Sequence, residues 1–269
     1  MENIQEETHS KITPRKKYSK EELILQFWEQ KKELAMNKIP RAYRNKGFDE
    51  LEGDTMKKIA AKLKTWDAKS PLVCSIVSNQ NGIGKTHLAV GLIKELYLKK
   101  IKALEEVNYE IYEERHTILC ERDEYSKIKE EDRDIFSDDP FNKMLPRFNE
   151  NYHLHYEFIP ERKLLMEYKA STNFKSDTTE ENFYKKYGII PLLVIDDAFS
   201  TKEGNFEMSR SVLFSILDER MHYTMNPTII TSNLALKEIA DIDTRIASRI
   251  NNSMLIEITS KQEDYRGRD

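Results

Sequence analysis

A chain of 269 residues is long enough to bury a sizeable core in one domain, with room for a tail or an insertion. Charged residues make up 33% of it, yet the formal net charge is only −4, so no overall positive field marks a nucleic-acid binder and such contacts must come from local patches. Cys74 and Cys120 form neither a disulfide framework nor a metal cluster, no apolar run is long enough for a bilayer, and the N-terminus lacks the features of a signal peptide. These absences predict a cytoplasmic, reduced protein.

Residues 1–18 are polar, with a basic cluster at Arg15, Lys16 and Lys17, and read as a disordered lead. Ser19-Lys20-Glu21-Glu22 resembles a capping box opening a helix whose apolar residues Leu23, Ile24, Phe27, Trp28, Leu34 and Ala35 fall near helical spacing; Pro40 ends it. The helix has either the protein's own core or a partner to pack on. Residues 39–51 form a turn-rich connector, and Met56 to Trp66 is helical again. Lys57, Lys58, Lys62 and Lys64 cluster on that short helix; solvated lysines are the ordinary explanation, DNA phosphates the alternative.

From about residue 71 the pattern alternates. Strands are predicted near 72–77, 156–160, 190–195, 227–231 and 253–258, and helices near 85–99, 161–170, 206–223 and 235–250. This alternation predicts an α/β fold with a five-stranded parallel sheet covered on both faces, a three-layer arrangement. An acid-rich stretch at about 101–153 is longer than any crossover needs and reads as an insertion; residues 171–187 read as a second polar loop.

Chemistry concentrates at 78–86, Ser-Asn-Gln-Asn-Gly-Ile-Gly-Lys-Thr, between an apolar strand and an amphipathic helix. That context suits a phosphate-binding loop, in which backbone N–H groups and the helix N-terminus cradle phosphate oxygens. Asn79, Gln80, Asn81, Gly82, Ile83, Gly84, Lys85, Thr86 and His87 are therefore nucleotide-binding candidates, with Lys85 reaching the terminal phosphates and the Thr86 hydroxyl placed on Mg²⁺. Asn79 stands where the phosphate-loop pattern has glycine; Asn tolerates positive φ better than most residues, so the turn stays possible. Pro191-Leu-Leu-Val-Ile-Asp196-Asp197 is a buried strand ending in two carboxylates. Asp196 suits a water-mediated Mg²⁺ site, and Asp197 an attacking water. An Asp there is shorter than the usual Glu, which predicts slow turnover. Pro227-Thr-Ile-Ile-Thr-Ser-Asn233 is a second strand ending in polar groups; Asn233 either senses the γ-phosphate or caps the next helix, and the two roles are compatible. Arg245 and Arg249 lie four apart on one helical face, suited to a neighbouring subunit's γ-phosphate.

Taken together, these motifs resemble those of the AAA+ ATPases that load the replicative DNA helicase, of the DnaC and DnaI type, with the related IstB transposition ATPases. The matching pieces are Ile39-Pro40-x-x-Tyr43-Arg44 with Phe48, Gly82-Ile-Gly-Lys-Thr-His-Leu-Ala89, Leu192-Leu-Val-Ile-Asp-Asp197, Asp218-Glu-Arg220, Pro227 to Leu234, Arg245-x-x-Ser-Arg249 and Glu263-Asp-Tyr-Arg266. The resemblance implies a P-loop ATPase core over 39–269 and a short helical N-terminal region, 1–38, that grips a hexameric helicase. It further implies ATP and Mg²⁺ as cofactors, contact with single-stranded DNA, and assembly of copies in the ATP state. It makes Lys85, Thr86, Asp196, Asp197 and Asn233 the Walker A, Walker B and sensor 1 residues. Arg249 becomes the first candidate for the arginine finger and Arg245 the second, while Tyr43 and Phe48 flank the adenine. The chain stops soon after the last strand, so no C-terminal helical lid is expected. Two alternatives stay open: a transposition-type ATPase acting on duplex DNA, and a nucleotide-switch module that scarcely hydrolyses ATP.

Overall fold

The computed structural model describes residues 36–105, 155–173, 179–200 and 206–259. All of them fall within the unit Ala35–Asp269. The expected N-terminal helix, nearly all of the 101–153 insertion, Cys120 and Arg266 lie outside the described residues.

A connector with one turn of 3₁₀ helix, Arg41–Tyr43, leads to α1 (Asp54–Lys64). There Met56, Ala60 and Leu63 recur at helical spacing and are buried. The core then follows as β1 (Val73–Val77), α2 (Lys85–Glu105), β2 (Tyr156–Pro160), α3 (Glu161–Ser171), α4 (Glu180–Ile189) and β3 (Leu192–Ala198). It ends with α5 (Phe206–His222), β4 (Thr228–Ser232), α6 (Leu236–Ile242), α7 (Thr244–Asn251) and β5 (Met254–Glu257).

The five strands form one parallel sheet in the order β2-β3-β4-β1-β5. Strands β1 and β4 are buried along their whole length, as expected of a sheet covered on both faces. The step from β1 to β2 runs across the sheet in the opposite direction to the steps that follow it. Right-handed crossovers therefore put α2 on one face and the later helices on the other. The packing agrees: α2 contacts α1, while α3, α4 and α5 contact one another and α7 contacts α5. The main apolar core lies on that second face, where Leu164, Phe183, Tyr187, Leu213, Ile216, Ile246 and Ile250 are buried against Leu193, Ile195 and Ile230.

Four expectations are corrected. The stretch 171–187, read as a polar loop, contains most of α4. Thr179 caps that helix by accepting a hydrogen bond from Asn182 N (3.2 Å), and Phe183 and Tyr187, four apart, bury one face. The single helix expected over 235–250 is broken at Asp243. This residue takes an extended conformation (φ −154°, ψ 108°), and its carboxylate accepts from Arg245 N (2.9 Å), starting α7 afresh. Asp competes with the helix backbone for hydrogen bonds and so favours a cap over an interior position. Helix α2 runs on to Glu105, past the expected start of the insertion. Finally, β3 continues through both aspartates to Ala198.

A candidate nucleotide-binding site at the carboxyl edge of the sheet

Strand β1 hands over to the loop through Ser78, which is buried. Its backbone N–H donates to Ser232 O (3.1 Å), and its hydroxyl donates to Ile258 O (2.6 Å) while accepting from Gln80 N (3.2 Å). The mouth of the loop is thus tied to the ends of both flanking strands. Gly82 (φ 74°) and Gly84 (φ 89°) take left-handed conformations that a side chain would resist. Asn79 is not among the residues with positive φ, so this position makes no conformational demand for glycine and Asn costs it nothing. The buried side chain of Ile83 anchors the loop from below.

Lys85 opens α2 and is only 5% exposed. Its ammonium donates to Gln80 O at 2.5 Å, curling back over the loop where a phosphate-loop lysine is needed. Thr86 donates to both carboxylate oxygens of Asp196, at 3.0 and 3.3 Å. Asp196 is 8% exposed, and burial raises its pKa. The charge of Asp197 raises it further, while hydrogen bonds from Thr231 and Thr86 and the charge of Lys85 oppose the shift. A hydroxyl and a carboxylate side by side form the all-oxygen donor pair that suits Mg²⁺ with its remaining waters. Among the described residues no group of three or more His, Cys, Asp or Glu side chains is gathered for a metal.

The strand order explains the rest of the site. Because β4 lies between β1 and β3, its last residues sit between the phosphate loop and the carboxylates. Thr231, buried, donates to Asp196 Oδ1 (2.7 Å) and accepts from Asp197 N (2.9 Å). Asn233 donates through its amide to Asp197 Oδ1 (2.9 Å). Between Ile195 and Ala198 the β3 ladder gains one residue over β4, and Asp197 sits there at φ 54°. A bulge of this kind re-aims a side chain, and here it turns the Asp197 carboxylate to meet Asn233. The capping alternative for Asn233 is not realised. The first N–H groups of α6 are satisfied by Glu238 (from Ala235 N, 2.7 Å) and Glu257 (from Leu236 N, 3.0 Å).

Thr231 and Glu161 are site residues that sequence reasoning missed. Thr231 stands two positions before Asn233, on the same side of the pleat, which was the available signal. Replacing it with the isosteric valine leaves Asp197 N without its acceptor and Asp196 without one donor. The expected result is a loss of about 1–3 kcal/mol in denaturant unfolding together with weaker Mg²⁺-dependent nucleotide binding. Glu161, fully buried at the start of α3, accepts from Ser200 N (2.9 Å), Ser200 Oγ (3.1 Å) and the Ser209 hydroxyl. It secures the chain as it leaves the carboxylates; nothing in the residue type alone signals this.

The connector closes against the loop side of α2. His87, grouped with the loop in the sequence reading, turns its ring to the connector: Nε2 lies 2.6 Å from Gly47 O and 3.1 Å from Gly47 N. Burial lowers the pKa of His87. Phe48 packs directly on Gly91 of α2, where a Cβ would come within 2.5 Å of the ring. Tyr43, half-buried, closes the 3₁₀ turn of the same segment. Gln80 is half-buried and Asn81 exposed at the tip of the loop. Of the clustered lysines, Lys62 donates to Leu255 O (3.2 Å), and Lys64 lies 4.0 Å from Glu95 with its ammonium over the Phe48 ring.

Arg245 and Arg249 project from α7 onto Phe214 of α5, their guanidinium carbons 4.2 and 4.3 Å from the ring centroid. Arg245 is 58% exposed in its side chain and pairs with Asp243 (2.7 Å); Arg249 is 18% exposed and pairs with Asp218. Hydrogen bonding to Arg245 holds the Asp243 carboxyl down at about 2.

No family model matches this chain, and no curated protein does. Among solved structures it is similar to the DnaC helicase loader, with 19% identity and a TM-score of 0.50 over 82% of this chain and 100% of that one. Further likenesses are to DnaI (16% identity, TM-score 0.48, 85% of this chain and 94% of that one) and to domain III of the Thermotoga maritima replication initiation protein DnaA (15%, 0.47, 82% and 69%). The parallel sheet, its strand order and the placement of the phosphate loop give this chain the AAA+ P-loop fold, and its resemblance to the DnaC-type helicase loaders holds at the level of that fold.

Proposed function

We propose that this chain is an ATP-dependent loader of the replicative DNA helicase, hydrolysing ATP slowly and contacting single-stranded DNA. The observation that supports it most is convergence. Thr86, Asp196, Asp197, Thr231 and Asn233 meet at the carboxyl edge of three adjacent strands, linked by hydrogen bonds of 2.7–3.3 Å, and the charge of Lys85 acts on Asp196 from the loop side.

In this reading the loop N–H groups and Lys85 bind the β- and γ-phosphates, and His87 and Phe48 hold the connector, with Tyr43, beside the base. Thr86 and Asp196 hold Mg²⁺, which neutralises phosphate charge when bound. Asp197 accepts the proton-bearing side of the attacking water, and Asn233 keeps that carboxylate oriented. Arg249 of a neighbouring copy, with Arg245 beside it, meets the γ-phosphate from outside and makes turnover depend on assembly. The described residues contain no helix long and apolar enough to cross a membrane.

The test is a pull-down of the full chain against hexameric replicative helicases with ATP and with ADP. A complex that forms with ATP and weakens with ADP is the expected result. No association in either state, combined with ATP-dependent binding to duplex DNA, would overturn it in favour of a transposition-type ATPase.

A further inference from the structure

We propose that Asp218 is a positioning residue for Arg249, fixing the direction in which its guanidinium faces an adjoining copy; the proposal rests on the reading of Arg249 given above. Asp218 carries none of the recognised nucleotide chemistry and belongs to a different helix, α5. Its carboxylate is paired to one terminal nitrogen of Arg249. The other terminal nitrogen donates to Arg245 O (3.1 Å), and the Phe214 ring lies beneath the guanidinium carbon at 4.3 Å. The Arg249 Nε–H is buried, with no acceptor among the described residues.

Three surfaces therefore hold one side chain: a carboxylate, a carbonyl from the first turn of α7 and an aromatic face. One N–H on each terminal nitrogen is used inward and Nε–H is enclosed, so a second N–H on each terminal nitrogen is left for an incoming anion. A planar fork held this way suits a phosphate, because the rotamer freedom of a long side chain has already been given up. Arg245 differs: its side chain is 58% exposed and it pairs with Asp243 beside it on its own chain segment. Asp218 Oδ1 also lies 3.2 Å from His222 Nδ1, and the exposed His222 is the second basic group facing it. Without Asp218, Arg249 loses its charged partner and is free to swing to solvent.

The experiment measures ATP turnover against protein concentration for the wild type, D218A, D218N, D218E, R249A and the D218A/R249A pair, with thermal melts confirming folding. D218A and D218N are expected to lower kcat roughly tenfold to a hundredfold with KM for ATP unchanged. D218E should recover part of the loss, and D218A should cost nothing more once Arg249 is removed. In the absence of nucleotide, the Arg249 Nε–H resonance, identified by its loss in R249A, should shift in D218A. Wild-type turnover in D218A, losses that multiply in the double variant, or an unmoved resonance would each overturn the proposal. Full turnover in K85A would instead overturn the ATPase reading itself, and full turnover in R249A the reading of Arg249; with K85A and R249A both impaired and D218A normal, the positioning role alone falls.

Discussion

Lys85→Ala is expected to lower ATP turnover by roughly 10²–10³-fold, the scale lost when a preorganised donor to a transferring group is removed. The side chain is 5% exposed and already directed over the loop, 2.5 Å from Gln80 O, so little reorganisation is needed when a phosphate replaces that carbonyl. Removing it takes a charge out of a nearly buried position without opening the core, since Ile83 and Leu88 remain packed on either side. The unliganded variant should therefore melt close to the wild type. The difference appears with ligand: Mg-ATP stabilises the protein it binds by an amount that grows with the logarithm of its affinity, so the ATP-induced rise in melting temperature should shrink or vanish in the variant. Turnover and ligand-induced stabilisation both unchanged in Lys85→Ala would mean that no triphosphate binds at this loop.

Arg220→Met is expected to destabilise the fold by about 3–5 kcal/mol. Arg220 is fully buried, and the partners of its guanidinium are neutral oxygens. It donates to Thr228 Oγ1 (2.8 Å), Tyr187 O (2.5 Å), Gly188 O (3.1 Å) and Pro227 O (2.6 Å). These acceptors join the carboxyl end of α4, where the helix dipole favours a cation, to the start of β4. Burial lowers its pKa to about 9, which still leaves it charged at neutral pH. Methionine fills similar space but takes the donor from Tyr187 O and the Thr228 hydroxyl in the buried interior, while Gly188 O keeps the Asn226 amide (2.9 Å) and Pro227 O keeps Leu193 N (3.2 Å). For a protein of this size the loss corresponds to a fall in melting temperature on the order of 10 °C. Lysine should recover little, because a point charge cannot reach both edges of the fork. A shift in unfolding free energy below about 1 kcal/mol would show that water or relaxation satisfies the groups left behind.

Much of the candidate site was legible because a phosphate-loop pattern is local. A strand, a loop with Gly82 and Gly84, and a helix opening on Lys85-Thr86 are contiguous, and each residue type answers a nearby backbone need. The paired aspartates at the end of an apolar run were legible for the same reason. Helix α4 was not: its two buried aromatics stand among charged residues, and only packing against α3 and α5 makes them a face. Nor was the break at Asp243, where one cap bond outweighed an apolar pattern that ran through it. Asn79 was a local misreading of a different kind. The pattern's glycine suggested a conformational demand that the backbone does not make there.

The order of the five strands along the chain, the parallel α/β class and the choice of Lys85, Thr86, Asp196 and Asp197 as candidate site residues came from the sequence alone, through periodicity and short-range spacing. Only the tertiary structure decided that β4 lies between β1 and β3, so that Thr231 and Asn233 reach Asp196 and Asp197. It alone decided the bulge that turns Asp197, the burial of Glu161 and Arg220, and the pairing of Arg249 with Asp218. Each of these joins residues 31 or more positions apart, or depends on one strand's register against another. Pairings over such separations are chosen by the packing of the whole sheet, which no local pattern carries.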